Sequence, residues 1–347
     1  MRLNKFCLIR ADKNKLGGAE VYLSRLSIAL KEKKIEHTVI YSPFPKILPA
    51  WFGVILFNIY LCFTKRNKFY FSLERITCPD IYRAGDGVHK VFLQVEKKSK
   101  LNLLHPVYLF LENRCFKNAK HIIANSYTVR DEIIQSYNID PEKISVIHNG
   151  IKDKKFDRER AFKRLASEFR IKENQKVLLY VGSGFKRKGV EEFLKIIMNL
   201  KTPDVLAFIV GKDKNLEYYK NLSKQLNVDD KVFFTGPRID VDDFYSISHV
   251  FILPTKYEPF SNVILEAMNH ENIVFTTRQN GASEILQNDF IMDYPGDLSI
   301  VEKIDFLLKD EKSLKEQMKL NRLKSQEFSM LKNLESTLEI VQSFGNV

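Results

Sequence analysis

The sequence predicts an α/β protein with two doubly wound domains. Its 347 residues are too many for one ordinary hydrophobic core and suit two. Short apolar segments with strand character alternate with helical segments along both halves, as in parallel sheets that are covered by helices. The first strand of each half, at residues 6–10 and 176–182, precedes a glycine-containing loop that opens a helix. These observations indicate two Rossmann-like domains, expected at 1–155 and 156–330.

The first half is expected to contain five strands separated by helices. The expected strands cover residues 6–10, 37–41, 69–73, 121–124 and 144–148, and the expected helices cover 21–31, 47–63, 106–116 and 127–137. Gly17 and Gly18 lie in the first loop, where glycine lets the backbone approach a ligand and the helix amides favour a phosphate group. The loop lacks a full G-x-G-x-x-G motif, so a plain tight turn is the alternative.

The apolar run at residues 47–63 contains Trp51 and is the longest in the chain. Pro49 and Asn58 interrupt it, and it is short for a helix that crosses a membrane. We expect it to form a helix that is buried against the first sheet. A segment that dips into a membrane is the alternative.

An aspartate between two glycines marks the middle of the first half. Asp86 lies between Gly85 and Gly87, and His89 follows three residues after Asp86. In a doubly wound sheet the carboxyl ends of the strands face the ligand crevice, which makes Asp86 and His89 candidate site residues. The alternative is a turn in which Asp86 bonds its own backbone while His89 is merely exposed.

The second half repeats the alternation after a charged linker at residues 152–175, which is expected to contain one helix. Its expected strands cover residues 176–182, 205–210, 232–236, 250–254 and 273–277. Helices are expected at 190–199, 244–248 and 312–344, and two more are expected to begin at Pro259 and Gly281. Gly182 and Ser183 open a loop that also carries Lys186, Arg187 and Lys188. Amides at a helix start together with three cations suit a phosphate group, and a solvated basic turn is the alternative.

Two glutamates mark the segment on which the prediction depends most. Pro259 has no amide hydrogen and a fixed φ, so it fits the first position of a helix. The amides of 260–262 would then be free at the helix start, which attracts anions. On one helix Glu258 and Glu266 would be about 12 Å apart along the axis, the span from a sugar across a diphosphate to a ribose. The alternative is two solvated helix glutamates.

Composition limits the class of protein and its partners. The net charge of +12 suits nucleic acid, an anionic membrane or a polyanionic substrate, but no long Lys/Arg block and no nucleic-acid motif appears. The four cysteines show no paired spacing and are expected to be reduced and mostly buried. The N-terminus has no signal-peptide pattern. Asp240 and Asp242 form a D-x-D motif, but we expect them to cap a helix, with no metal bound.

These motifs together resemble glycosyltransferase family 4, the retaining enzymes of the GT-B fold. The resemblance runs from residues 17–20 to 281–284 and rests on Glu258 and Glu266 together with residues 181–189. Within the family, residues 82–87 and 181–189 are most similar to lipopolysaccharide core glucosyltransferase I and its relatives. The resemblance implies two Rossmann-like domains that face each other across a cleft, with a helix at 331–347 that crosses back to the first domain.

The resemblance also implies a role for each candidate residue. Arg187 and Lys188 would bind the donor diphosphate and stabilise its charge as the glycosidic bond breaks. Glu258 would hold the sugar hydroxyls and Glu266 the ribose. The implied catalytic residues are Asp86, His89, Arg187, Lys188 and Glu258. The implied donor-binding residues are Gly17, Gly18, Gly182, Ser183, Arg187, Lys188, Arg238, Glu258, Phe260, Ser261, Asn262, Val263 and Glu266.

The implied reaction transfers a hexose, with glucose favoured, from a UDP-sugar to a lipopolysaccharide-core or other lipid-linked glycan. It would proceed by front-face attack, in which the departing phosphate takes the acceptor's proton, so no residue is assigned as the nucleophile. No cofactor or metal is expected. Two departures concern the donor site: Ser183 stands where many relatives have arginine, and Pro259 where many have glycine.

The expected location is the cytoplasm, at the cytosolic face of the inner membrane, where the basic surface would suit anionic lipid. The expected partners are a nucleotide-sugar, a glycan or lipid-linked acceptor and the membrane surface, with no nucleic acid. A second hypothesis is a basic Rossmann-like protein that binds a polyanion or nucleic acid without catalysis. It predicts salt-sensitive binding and no response to UDP-sugars. A phosphorylase or sugar-nucleotide epimerase is a third hypothesis, which the pair Glu258 and Glu266 disfavours.

Overall fold

The computed structural model describes residues 5–13, 18–97 and 102–345. The chain forms two compact units, the first from Met1–Asn149 and Met330–Val347 and the second from Gly150–Ser329. Residues 150–155, which the sequence analysis placed in the first domain, belong to the second unit because Ile151 pairs with Ser329 in an isolated β-bridge. Gly17, a predicted donor-binding residue, lies outside the described residues.

The first unit contains a sheet of six parallel strands in the order β2-β1-β3-β4-β5-β6. The strands are β1 (Lys5–Ile9), β2 (His37–Ile40), β3 (Lys68–Ser72), β4 (Ile81–Ala84), β5 (His121–Ala124) and β6 (Ile144–Val146). The sequence analysis missed β4, which lies between β3 and β5. This strand has only four residues and carries Arg83 in place of an unbroken apolar run, so its local signal is weak.

Five helices follow the strands of this sheet in chain order. They are α1 (Gly18–Glu32), α2 (Ala50–Thr64), α3 (His89–Glu96), α4 (Leu104–Asn118) and α5 (Tyr127–Tyr137). Ser126 caps α5 as its side chain accepts a hydrogen bond from the amide of Val129 at 3.1 Å. Helix α3 begins at His89, a candidate site residue that the sequence analysis did not assign to a helix.

Helix α2, the apolar segment, is only half buried. Phe57 and Leu61 pack on the first sheet with Ile9 and Tyr70. On other sides of the helix Phe52, Ile59 and Phe63 are exposed, Phe63 to 85%. The expected burial against the sheet is therefore found for one face only. Among the described residues no helix is both long and apolar enough to cross a membrane.

The second unit contains another sheet of six parallel strands, in the order β12-β11-β10-β7-β8-β9. The strands are β7 (Lys176–Val181), β8 (Val205–Val210), β9 (Val232–Gly236), β10 (Val250–Leu253), β11 (Ile273–Thr277) and β12 (Ile291–Met292). The α/β class and the two doubly wound domains are thus confirmed. Their near-continuous apolar strands explain why they were recognisable, since parallel strands are buried on both faces.

The helices of the second unit cover both faces of its sheet. They are α6 (Arg158–Phe169), α7 (Phe185–Lys188), α8 (Val190–Asn199), α9 (Leu216–Gln225), α10 (Val241–Ile247), α11 (Asn262–Asn269), α12 (Ile300–Lys309) and α13 (Glu311–Gln326). Gly281–Ile285 is a 3-10 helix, where the sequence analysis expected the start of a further α-helix.

The last helix, α14 (Met330–Phe344), returns to the first unit. Its buried side chains Leu334, Leu338 and Val341 join the core formed by Phe6 and Leu8 of β1. The long helical segment expected at 312–344 is thus two helices, α13 and α14, which belong to different units.

Two of the four cysteines depart from the expected burial. Cys7 and Cys115 are buried, whereas Cys62 is exposed and Cys78 is partly exposed. The thiol of Cys62 donates to the sulfur of Cys78 at 2.8 Å, so these two residues are neighbours despite their separation along the chain.

Candidate functional site

The loops at the carboxyl edge of the second sheet are joined by backbone hydrogen bonds. The amide of Lys256, after β10, donates to the carbonyl oxygen of Arg187 at 2.8 Å. The amide of Glu258 donates to the carbonyl oxygen of Gln279, after β11, at 3.0 Å. Since ligands of doubly wound sheets bind at the carboxyl ends of the strands, this edge is the candidate donor site.

Two glycines allow these loops to approach each other closely. Gly189 has a φ of +81°, and a Cβ atom there would lie 1.9 Å from the carbonyl oxygen of Pro254. Gly211 has a φ of +147°, and its Cβ would lie 2.0 Å from the carbonyl oxygen of Gly182. Only glycine fits such contacts and such φ values without strain.

The basic segment after β7 forms one turn of helix, α7, where the sequence analysis expected a loop without helical structure. The turn fits between Gly184 and Gly189, both of which have a positive φ. The amide of Phe185 donates to Oδ2 of Asp213 at 2.8 Å, so this carboxylate already occupies the first amide of the turn. The side-chain oxygen of Ser183 accepts from the amide of Lys212 at 3.3 Å. The amide of Phe185, which was expected to be available to a phosphate group, is therefore engaged by a side chain of the protein.

Arg187, Lys188 and Glu258 meet at this edge. The guanidinium of Arg187 donates from Nη1 to the carbonyl oxygen of Tyr257 at 2.7 Å and also to the carboxylate of Glu258. Nζ of Lys188 lies 3.6 Å from Oε2 of Glu258. Two cations thus share one carboxylate, which leaves a net positive charge. The three side chains remain 25%, 13% and 16% exposed, so a ligand can reach them.

Lys188 also explains why Gly182 is suited to its position. A Cβ atom on Gly182 would lie 2.7 Å from Cδ of Lys188. The lysine side chain therefore runs directly over this glycine before its ammonium group reaches Glu258. The sequence analysis predicted both residues as donor-binding, and the structure brings them into contact.

The helix after Glu258 begins at Asn262, three residues later than expected, and Pro259 is not its first residue. The reason is Asn280, whose Oδ1 accepts the amides of Ser261 at 3.3 Å and of Ala282 at 3.1 Å. Glu258 forms an isolated parallel β-bridge with Asn280, which holds the preceding segment extended. The amide of Ser261 is thus engaged within the protein. Of the four predicted residues here, Phe260 and Ser261 precede the helix, whereas Asn262 and Val263 begin it.

Glu266 lies in the middle of α11, next to a tyrosine that the sequence analysis did not select. The hydroxyl of Tyr245 donates to Oε2 of Glu266 at 3.4 Å. Burial raises the pKa of Tyr245, and the charge of Glu266 raises it further, so the hydroxyl stays protonated and acts as a donor. Because only Glu266 lies within the helix, the expected axial separation from Glu258 no longer applies.

Arg238 does not join this group. Its guanidinium donates to both oxygens of Glu168 at 2.7 and 2.8 Å, and to Asp240 from Nε at 2.9 Å and from Nη2 at 2.8 Å. Hydrogen bonds to Asp240 and Glu168 are the largest influence on the pKa of Arg238 and raise it. Two carboxylates therefore take four of its five N–H donors, which ties α6 to the loop before α10.

The two aspartates of the D-x-D motif, Asp240 and Asp242, also form ion pairs. Asp240 is the N-cap residue of α10, but its carboxylate makes no capping hydrogen bond and binds Arg238 instead. Asp242 accepts from Nζ of Lys154 at 2.7 and 2.9 Å. The expected side-chain cap is therefore not formed. Within the described residues no three metal-binding side chains cluster.

The first unit carries a separate charged group at the carboxyl edge of its sheet. Arg10, after β1, pairs with Glu20 at 2.7 Å and with Glu74 at 3.0 Å. Asp86 is exposed beside this group. Burial lowers the pKa of Arg10, but the negative charges of Glu74, Glu20 and Asp86 outweigh it, so this pKa is raised. Burial raises the pKa of Glu74, and the charge of Asp86 raises it further. Asp86 therefore lies in a polar setting to which Arg10 and Glu74 belong.

His89 lies at the start of α3 in the same unit. Its Nε2 is 3.2 Å from Nδ1 of His105, and its ring meets that of Tyr108 edge to face at 5.2 Å between centroids. Burial is the main cause that lowers the pKa of His89 to about 4, and the charge of Arg75 lowers it further. The imidazole is therefore neutral near pH 7 and can both donate and accept a hydrogen bond.

Two family models match this chain. Residues 162–324 match the family model for glycosyl transferases group 1, and residues 84–155 match the model for glycosyltransferase family 4. Lipopolysaccharide glucosyltransferase WaaG of Escherichia coli K12 is 28% identical over 208 residues, which cover 57% of this chain and 55% of the relative. The chain spans about half the length of the curated relatives it matches.

Solved structures share the fold. A crystal structure of WaaG, a glycosyltransferase involved in lipopolysaccharide biosynthesis, matches with a TM-score of 0.80 at 18% identity, covering 97% of this chain and 99% of that one. Anabaena Alr3699/HepE in complex with UDP and glucose matches with a TM-score of 0.75 at 19% identity, covering 98% of this chain and 100% of that one.

The two six-stranded parallel sheets and the match to these solved structures define a protein of the GT-B class. The chain carries domains of the glycosyltransferase family 4 and glycosyl transferases group 1 types and resembles the lipopolysaccharide core glucosyltransferases.

Proposed function

We propose that this protein is a retaining, metal-independent glycosyltransferase. It transfers a hexose, with glucose favoured, from a UDP-sugar to a lipopolysaccharide-core or other lipid-linked glycan. The observation that carries the proposal is the meeting of Arg187, Lys188 and Glu258 at the carboxyl edge of the second sheet.

The two cations suit a leaving diphosphate. As the bond between sugar and phosphate breaks, negative charge grows on the phosphate oxygens, and Arg187 and Lys188 supply fixed positive charge for it. Without donor, Glu258 acts as their counter-ion. A bound diphosphate would replace that carboxylate at the guanidinium, since arginine binds phosphate and carboxylate with the same fork of donors.

Glu258 is proposed to orient the donor sugar by accepting hydrogen bonds from its hydroxyls. Glu258 is not proposed as a nucleophile that forms a covalent glycosyl intermediate. Attack from the same face as the departing phosphate needs no such nucleophile. Glu266, held by the hydroxyl of Tyr245, is proposed to bind the ribose.

The acceptor is proposed to bind the first unit. There Asp86 and the neutral imidazole of His89 offer a carboxylate acceptor and a ring that can donate or accept hydrogen bonds. Such groups suit the hydroxyls of a glycan.

A contact with anionic membrane is also proposed, at the cytosolic face of the inner membrane. Phe52, Ile59 and Phe63 form an exposed apolar part of α2, and basic side chains lie near its ends, with Lys46 exposed to 72% and Arg66 also exposed. Apolar side chains flanked by lysine and arginine suit the boundary between lipid headgroups and acyl chains.

A thermal-shift panel tests the donor site. The purified protein is heated with UDP, GDP, ADP, UDP-glucose, UDP-galactose or UDP-N-acetylglucosamine, each with and without EDTA. A ligand of the folded state at 100 times its Kd adds about 2.7 kcal/mol of stability. Stabilisation by UDP and one UDP-sugar, unchanged by EDTA, would support the proposal and identify the sugar. Absence of any nucleotide effect would contradict it.

A single substitution separates the proposal from simple polyanion binding. Lys188→Ala should abolish sugar transfer and leave the fold intact, because it removes one of two charges at the leaving phosphate. A polyanion-binding protein with this many basic residues would lose only a little affinity for an oligonucleotide when one lysine is removed.

A further inference from the structure

Glu112 of α4 is fully buried and binds four donors, although no role has been assigned to it. Its Oε1 accepts from the amide of His89 at 2.7 Å and from Nε of Arg75 at 2.8 Å. Its Oε2 accepts from the hydroxyl of Tyr137 at 2.6 Å and from the amide of Lys90 at 3.2 Å. These four bonds satisfy a carboxylate that would be very costly to bury unpaired.

This carboxylate replaces the missing cap of α3. The N-cap residue of that helix is Val88, whose apolar side chain makes no capping hydrogen bond. The first amides of a helix need acceptors from elsewhere, and a negative charge at that end is favoured by the helix dipole. Glu112 supplies both from another helix, to the amides of His89 and Lys90.

Arg75 holds the other side of the same turn. While its Nε binds Glu112, its Nη2 donates to the carbonyl oxygen of Gly87 at 2.9 Å. The buried ion pair thus fixes the backbone on both sides of Val88, from the carbonyl of Gly87 to the amides of α3. This is the turn that begins with Asp86 and delivers His89.

The side chain of His89 depends on the same helix, α4. His105 and Tyr108, which contact its ring, both belong to α4, the helix that carries Glu112. A shift at the start of α3 would therefore move the backbone of His89 relative to both ring contacts.

We propose that Glu112 is a positioning residue, which together with Arg75 sets the place of Asp86 and His89 for the acceptor and the transferred sugar. The inference rests on the proposed function, because it takes these two residues to face the reactants. Glu112 itself touches no substrate and acts through the backbone of residues 87–90.

The first test substitutes Glu112→Gln, which keeps the size and an acceptor oxygen but removes the charge. A misplacement of about 1 Å can cost about 100-fold in rate, so kcat for UDP release from UDP-glucose should fall about 10- to 100-fold. The KM for UDP-glucose should stay within about twofold, since the donor is bound by the second unit. Glu112→Asp, which retains the charge, should recover part of the loss.

A second readout does not depend on activity. In protein with labelled histidine, the ring signal of His89 is assigned from the spectrum of His89→Gln. Glu112→Gln should move this signal at pH 7, because the ring leaves its contacts with His105 and Tyr108. Glu339→Gln, the same change on an exposed part of α14, should alter neither the signal nor the turnover.

The outcomes are distinguishable. A folded Glu112→Gln protein with unchanged kcat, or with the His89 signal in place, would overturn the inference. If Glu112→Gln does not fold, Arg75→Lys keeps the buried positive charge but cannot bind both Glu112 and Gly87, and the same two readouts then decide. If UDP and UDP-glucose have no effect on the wild type, the proposed function fails, and the His89 signal alone decides whether Glu112 positions the ring.

Discussion

Arg187 and Glu258 are ion-paired in the second unit, although both are proposed to bind the same donor. Glu258 thus serves as a counter-ion of Arg187 within the protein. If a diphosphate binds as proposed, it replaces this carboxylate and carries more negative charge. The guanidinium of Arg187 also donates to the carbonyl oxygen of Tyr257. This bond would keep the guanidinium oriented while a donor phosphate replaces Glu258.

Arg187→Gln should strongly reduce transfer. Loss of one group that stabilises developing charge typically lowers kcat about 100- to 1,000-fold. Initial rates of UDP release at saturating donor measure the change. Lys186→Gln is the matched control, because Lys186 is exposed on the same helical turn and contacts neither Glu258 nor Tyr257 in any described bond. Equal losses in both variants would mean that overall charge, not the position of Arg187, matters.

Glu258→Gln and Glu266→Gln should separate the two ends of the donor. Glu266→Gln should weaken UDP itself, since its carboxylate is proposed to hold the ribose. Glu258→Gln should not weaken UDP, because it removes the carboxylate that competes with the diphosphate for Arg187, and it should weaken UDP-glucose relative to UDP. Isothermal titration with UDP and with UDP-glucose gives both affinities. A Glu258→Gln protein that loses UDP and UDP-glucose binding equally would contradict the assignment of this residue to the sugar.

Gly189→Ala should destabilise the second unit by at least about 2 kcal/mol, because a Cβ atom would meet the carbonyl oxygen of Pro254 at a positive φ. Gly53→Ala is the opposite case. Gly53 lies inside α2, and its Cβ would meet nothing within 4 Å. Alanine there should stabilise the helix by about 1 kcal/mol. Urea unfolding followed by circular dichroism measures both changes, and a similar sign for the two would refute the packing argument.

His249 should make the second unit sensitive to acid. Its Nδ1 accepts from the amide of Val177 at 3.1 Å, and burial is the main cause that lowers its pKa to about 4. Between about pH 6.5 and pH 4 the unfolded chain binds more protons at this residue than the folded protein does. The stability is therefore complete above about pH 6.5 and falls as the pH drops towards 4.

The matched variant is His249→Gln, which does not titrate. Between pH 6.5 and pH 4 the wild type should lose up to about 3 kcal/mol more unfolding free energy than this variant. The other histidines are the same in both proteins, so the difference isolates His249. Parallel pH profiles would show that His249 is already protonated in the folded state or that its environment is relaxed.

Much of the architecture was predictable because parallel strands carry long apolar runs. The sequence analysis located the strands β7 to β11 of the second sheet, whereas the predicted spacing of Glu258 and Glu266 along one helix was wrong, because Glu258 precedes α11. The strand β4 was missed, since four residues with Arg83 among them give little local signal. The burial of Arg83 becomes clear only in the fold, where its guanidinium donates to Asn149 at 2.6 Å and lies over the ring of Tyr22.

The remaining differences arise from partners that are distant along the chain. Asn280 delays the start of α11 by taking the amide of Ser261, and Glu168 draws Arg238 away from the donor residues. Neither Asn280 nor Glu168 belongs to a recognisable sequence motif. A side chain with several donors or acceptors has many possible partners in a sequence of this length, and only the packed fold selects among them. The contact of Tyr245 with Glu266 was not predicted for the same reason.

The place of α14 has a consequence for protein synthesis. Leu334, Leu338 and Val341 belong to the core of the first unit, yet they leave the ribosome after the whole of the second unit. The second unit is complete in the chain before these residues emerge, so it can fold while the first still exposes the apolar groove that α14 covers. During that interval the nascent chain offers a hydrophobic surface to chaperones, and premature termination after residue 329 would make that exposure permanent.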